Sequence, residues 1–102
     1  MGWVTHYIEK LKGGETITLD APNGRCMQGR VEPRETVTLG PVTDPATVGK
    51  GDVVLCKVGR AQLLHLVKAV QGKRFQISNN KGKVNGWVGI DQIYGKLIRI
   101  GE

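Results

Sequence analysis

Cys26 and His65 are the two side chains of this 102-residue sequence whose types suit a nucleophile and its base. Cys26 stands in Asn23-Gly24-Arg25-Cys26-Met27-Gln28-Gly29-Arg30-Val31-Glu32-Pro33, where glycine-rich surroundings suit a side chain that stands free of a packed sheet. The thiolate is the reactive form, and Arg25 and Arg30 favour it where they lie near in space. The plainer reading of a lone thiol is a half-buried small residue. His65 lies in the extended run Leu63-Leu64-His65-Leu66-Val67-Lys68, and period two sets Leu63, His65, Val67 and Ala69 on one face. An imidazole there is a hydrogen-bonded core residue or a general base, and the second role requires its nucleophile within hydrogen-bond reach.

A third group is Asn79-Asn80-Lys81-Gly82-Lys83-Val84-Asn85-Gly86-Trp87. Consecutive Asn and Gly residues offer backbone N–H groups in positive-φ conformations, Lys81 and Lys83 add charge, and Trp87 supplies a flat face. These are parts from which a nucleotide or phosphate pocket is made. The plainer reading is a polar hairpin loop with Trp87 capping the core. Should His65 open towards this loop, one cavity holds Cys26, His65, Asn79, Asn80, Lys81 and Trp87, with Arg25, Met27, Arg30 and Lys83 as further ligand contacts. The two Cys and two His (Cys26, Cys56, His6, His65) show no C-x2-C or H-x3-H pair, so neither a metal nor a cofactor is expected. Free thiols are expected at Cys26 and Cys56 in preference to a disulfide.

These groups need a scaffold, and composition narrows it. The chain is 39% hydrophobic, with 15 Gly and few aromatics (Trp 2, Tyr 2, Phe 1), which favours one turn-rich β domain over a helical bundle. Val4, Ile8 and Leu11, widened by Trp3 and Tyr7, form an amphipathic helix over 3–12 that Gly13-Gly14 stops. Its stripe suits packing on its own sheet or on a second copy, so an oligomer through this helix is one expectation. Period-two runs follow at 15–19, 35–39, 53–58, 61–70, 74–78, 84–88 and 93–100, separated by glycine, proline and asparagine turns. Gly59-Arg60 suits a two-residue primed turn, and the apolar runs around it belong in the middle of a sheet. The fold expected is mainly β: a small folded sheet or partly closed barrel with one N-terminal helix, as a single domain over 1–102.

The formal net charge is +6 with a sequence pI near 9.6. Residues 61–102 carry seven bases and two acids, so the basic character belongs to the C-terminal half. That field attracts phosphates, nucleic acid or acidic partners. Nucleic acid ranks last among these, because the bases are dispersed and no aromatic-rich strand accompanies them. No apolar run suits a membrane span and residues 1–14 lack a signal-peptide pattern, so a cytoplasmic protein without a membrane partner is expected.

The order of these elements resembles the β-domain shared by LexA-type repressors and type I signal peptidases. Their nucleophile motif looks like Gly24 to Glu35. A following Gly-Asp and apolar strand looks like Gly51-Asp52-Val53-Val54-Leu55, leading to Leu64-His65-Leu66-Val67. Phe75-Gln76-Ile77-Ser78-Asn79-Asn80 is similar to the segment carrying the acid of the His-using signal peptidases, and Ile93-Tyr94-Gly95-Lys96-Leu97-Ile98 to their final strand. The resemblance covers about residues 15–100. It implies Cys26 at the serine nucleophile position, His65 at the general-base position, and Asn79 or Asn80 where an orienting acid is expected. Cysteine for serine, histidine for the bacterial lysine, and Pro33-Arg34-Glu35 for Gly-Asp are departures. The stretch Asn79 to Trp87 also resembles short, free-standing phage versions of the fold, which implies the host cytoplasm and a counter-defence role. The leading expectation is therefore a pocket around Cys26 and His65 that binds an anionic, nucleotide-like small molecule or a protein partner. The alternative is a Cys-His hydrolase of peptidase type, and a non-specific nucleic-acid binder comes third.

Overall fold

A computed structural model of the chain describes residues 5–20, 36–79 and 82–100. Cys26, Arg25, Met27, Arg30, Asn80 and Lys81 lie outside the described residues, as do Trp3 and Val4.

Helix α1 runs Thr5–Lys12, with Lys10 and Lys12 in the last turn, where cations complement the helix dipole. It stops as the double glycine predicts. Gly14 takes φ 90°, its N–H donates to the Leu11 carbonyl at 3.0 Å, and the Glu15 N–H donates to the Lys10 carbonyl at 3.0 Å. This is a Schellman closure, in which a left-handed residue lets the chain turn back and satisfy two terminal carbonyls. Seven strands follow: β1 (Ile17–Asp20), β2 (Thr36–Pro41), β3 (Val53–Val58), β4 (Ala61–Gln71), β5 (Arg74–Ser78), β6 (Val84–Gly89) and β7 (Ile93–Ile100). The β3–β4 and β4–β5 connections are both two residues long, with Gly59 at φ 59° and Gly72 at φ 61°. Positive φ matches such turns to the twist of the flanking strands.

All pairings are antiparallel, and the sheet order is β1-β2-β7-β3-β4-β5-β6. The sheet curls into a half-barrel beside one short N-terminal helix. It carries two apolar clusters, one on each side. On the helix side, Ile8 and Leu11 of α1 join Ile17, Leu19, Val37, Leu39, Val53, Leu55 and Leu64 in one cluster, so these two residues of the helix stripe are covered by their own sheet. On the inner side, the curl closes Val54, Cys56 and Val67 against Phe75, Ile77, Val88 and Ile93. β3 is the wall between them, and each of Val53, Val54, Leu55 and Cys56 is buried. That accounts for its unbroken apolar run, since a strand buried on both faces has no polar position to spare.

Two close approaches fix this geometry. A Cβ on Gly95 would stand 2.8 Å from Leu11 Cδ1 and 3.2 Å from the Gly40 carbonyl oxygen, so a bare glycine lets α1 settle onto β7. A Cβ on Gly86 would stand 3.2 Å from Val58 Cγ1, which is where β6 comes round to β3.

Strict alternation fails at bulges. The β3–β7 register shifts between Leu55 and Cys56, so Ile93 opposes Cys56 and Gly95 opposes Leu55. Ile93 and Leu97, which period two sets together, therefore serve opposite clusters. A second shift between Val67 and Ala69 sets Ala69 opposite Gln76 and takes it off the face of His65 and Val67.

Candidate functional site

His65 is set by its ladder partners. It opposes Val54 on β3, and Val54 opposes Lys96 on β7. Directly opposed residues share a face, so Lys96, Val54 and His65 form one row on the inner side. Continuing the Leu66–Ser78 register by one residue brings Asn79 to the end of that row. Two of the residues singled out from sequence, His65 on β4 and Asn79 just past the end of β5, thus stand at one level.

His65 is 6% exposed. Its Nδ1 lies 2.7 Å from the Leu64 carbonyl oxygen. A carbonyl has no proton to give, so Nδ1 carries the hydrogen and Nε2 of the neutral ring is left with its lone pair. Burial pushes the imidazole below its ordinary value of 6.5, with the Leu64 hydrogen bond opposing that shift. The side chain is therefore held as a neutral proton acceptor of fixed tautomer. The resemblance assigns the orienting role to Asn79 or Asn80, but the Leu64 carbonyl holds Nδ1. The Asn79 Oδ1 instead accepts from the Lys83 N–H at 2.9 Å. The Asn79 N–H donates to the Lys83 carbonyl at 2.9 Å, and the Gly82 N–H to the Asn79 carbonyl at 3.2 Å. Lys68 closes the same loop from β4, its Nζ 3.3 Å from the Gly82 carbonyl oxygen. Fully buried Ser78 donates from Oγ to the Asn79 carbonyl at 3.1 Å.

At the opposite end of the row, Lys96 Nζ donates to the Thr47 carbonyl at 2.7 Å and stands 3.7 Å from Asp52 Oδ2. Asp52 in turn accepts from the Gly49 N–H at 2.8 Å, and its carbonyl accepts from the Val67 N–H at 2.8 Å. The Gly51-Asp52 step is thus a structural corner that ties the 42–52 connection to β4. Sequence reasoning missed Lys96 as a neighbour of the His65 row; strand order, which decides this, is not encoded in spacing.

Trp87 does not share a cavity with His65. It opposes Gln76, while its neighbour Val88 opposes Phe75 inside the inner cluster. Period two therefore turns the indole to the outer face, where it is 38% exposed. This corrects both readings of Trp87, as a wall of the His65 pocket and as a cap on the core. Lys83 is exposed beside the Asn79 loop. Cys56 is a free thiol, wholly buried, and burial pushes it up to about 12, so it is no nucleophile at neutral pH.

A separate hollow of about 290 Å³ lies between the end of α1 and β7, lined by Leu11, Val42, Ile90 and Ile93 with Lys12, Asp91 and Tyr94 at its rim. Lys12 Nζ stands 5.4 Å from the Tyr94 ring centre. Among the described residues no cluster of three His, Cys, Asp or Glu is gathered as a metal site, and no helix is long and apolar enough to cross a membrane. No family model, curated protein or solved structure matches the chain.

Proposed function

We propose that His65 is the proton acceptor of a hydrolase-like Cys-His site of the LexA and signal-peptidase type, with Cys26 as its nucleophile. The observation that carries this reading is the hydrogen bond from His65 Nδ1 to the Leu64 carbonyl, 2.7 Å long. It leaves Nε2 as an acceptor on a ring that burial keeps neutral. A neutral ring offering a lone pair suits removal of a proton from a thiol; it does not suit an anion, which needs donors or positive charge. In the reaction, Cys26 Sγ attacks a carbonyl carbon as its proton passes to Nε2. That proton returns to the leaving group as the carbonyl–leaving-group bond breaks, and water, deprotonated by the same nitrogen, releases the acid from the thioester.

The test is the rate of Cys26 alkylation by iodoacetamide, mapped by mass spectrometry, beside turnover of p-nitrophenyl acetate. In the wild type the rate falls only at pH values below the ordinary imidazole range, and His65→Gln slows both reactions about tenfold or more. Equal rates in wild type and variant overturn the reading.

A second reading, a pocket that binds an anionic small molecule or a protein partner without turnover, is favoured by the bases at the loop end of the row. Lys68 and Lys83 both border the Asn79 loop. Ligand-protected Cys26 with no turnover in the same assay distinguishes this reading from the first.

A further inference from the structure

Charge and one aromatic ring meet on the side of the sheet away from His65. From Val53 to Ile90 the sequence contains seven Lys or Arg (Lys57, Arg60, Lys68, Lys73, Arg74, Lys81, Lys83) and no Asp or Glu. That stretch is β3 to β6, four strands adjacent in the sheet, so one lobe of the molecule is basic throughout while every acid belongs to other segments. Its outer face follows from register. Trp87 opposes Gln76, and Gln76 opposes Ala69 on β4. Arg74, two residues before Gln76 on the same strand, shares that face and opposes Gln71. Arg74 is thus a diagonal neighbour of Trp87, within reach of a long side chain. Arg74 and Gln71 are exposed, Gln76 is half-buried, and Trp87 keeps 38% of its surface in solvent. β6 ends the sheet order.

An exposed indole on a sheet, with amide side chains beside it and the Arg74 guanidinium diagonal to it, is the set of groups that holds unpaired bases. The ring stacks on any base face, the amides reach base edges, and the cation neutralises phosphates. A duplex offers phosphates but no open base face, and an acidic protein surface has no partner for the ring, so the combination selects a single strand. We infer that the outer face of β4–β6, centred on Trp87 and Gln76, binds single-stranded nucleic acid, one base stacking on the indole and the backbone passing Arg74. From Arg74 to Asn79 is roughly 17 Å at about 3.3 Å per residue, room for a few nucleotides. This surface is on the opposite face from His65 and does not depend on hydrolase chemistry there.

The probe is a 15-nucleotide oligo(dT), titrated against the Trp3→Phe chain so that the remaining emission reports Trp87. Quenching is expected at low salt, with affinity falling steeply as salt rises. Trp87→Ala, read by the anisotropy of labelled oligo(dT), weakens binding about 5- to 100-fold, while Trp87→Phe retains most of it. Arg74→Ala lowers the slope of log affinity against log salt by about 0.7. Thermal melts confirm that each variant is folded. No quenching at low salt overturns the inference, as does binding unchanged in Trp87→Ala. Equal affinity for a duplex of the same length overturns it too, by reducing the surface to bare charge. Competition by polyglutamate as effective as that by oligo(dT) also overturns it and assigns the face to an acidic protein.

Discussion

The two sides of the sheet bury similar kinds of side chain by different means. On the helix side an eight-residue helix lays Ile8 and Leu11 over β1, β2 and β7, and the contact rests on one bare glycine, Gly95. On the inner side no α-helix covers the cluster among the described residues; the sheet brings β6 round to β3, and Val48 of the 42–52 connection and Ile90 of a single 3-10 turn complete the cover. A helix this short has little stability of its own, so the helix side can open without loss of the ladder. The inner cluster cannot open without unpairing strands. The side that carries His65 is therefore the stiffer one, which suits a group that must hold a fixed tautomer and position.

Substitutions sharpen that contrast. Phe75→Ala empties the centre of the inner cluster, where Phe75 is fully buried, and is expected to cost about 3–5 kcal/mol. The loss is global, with urea denaturation showing one cooperative transition at a lower midpoint; a local loss of protection confined to β5 would break the comparison. Leu11→Ala is expected to cost about 2–4 kcal/mol, and hydrogen exchange of α1 should accelerate well before that of β3. Gly95→Ala forces its new methyl group against Leu11 and the Gly40 carbonyl, for about 1–3 kcal/mol. Because Leu11 is the main obstacle, the cost falls in the Leu11→Ala background, and full additivity in the double mutant would place the clash elsewhere.

pH probes the inner side through His65. Its folded value lies below the ordinary 6.5 because burial disfavours the charged ring. Below about pH 6.5 the unfolded chain binds a proton that the folded chain refuses, so stability falls as pH drops from there towards the folded value and then levels off. The difference between wild-type and His65→Gln melting temperatures isolates this contribution; a flat difference between pH 7 and 5 would show the ring to be freely hydrated. The smallest effect is expected at Lys96→Met. The ammonium is partly exposed beside Asp52, so its loss costs about 0.5–1 kcal/mol, and it loosens the 42–52 connection more than either cluster.

Much of the scaffold is legible in the sequence, and the reasons are local. Strands over 53–58, 74–78 and 93–100 coincide with β3, β5 and β7, because β-branched runs bounded by glycine and asparagine leave little choice. The helix stop at Gly13-Gly14 is legible for the same reason: a left-handed residue is needed there, and Gly14 supplies it. What sequence spacing conceals is long-range. The bulges opposite Ile93 and near Lys68 exchange the faces of everything beyond them, and they arise from strand register. The same blindness placed Trp87 beside His65, although a count of residues from buried Val88 separates them once the pairing with β5 is known. The Leu64 carbonyl was invisible as the partner of His65 because any residue type carries the same backbone acceptor.

The position of β7 has a consequence for biosynthesis. β7, the seventh of the described strands, lies between β2 and β3, which makes it the keystone between an early hairpin and a later one. On a ribosome, both neighbours wait with open edges until Ile93–Ile100 has cleared the exit tunnel, and only then does the sheet become continuous. A chain that has released β2 and β3 but not yet β7 exposes two unpaired strand edges to any other chain nearby, so that interval is when this protein is most exposed to aggregation.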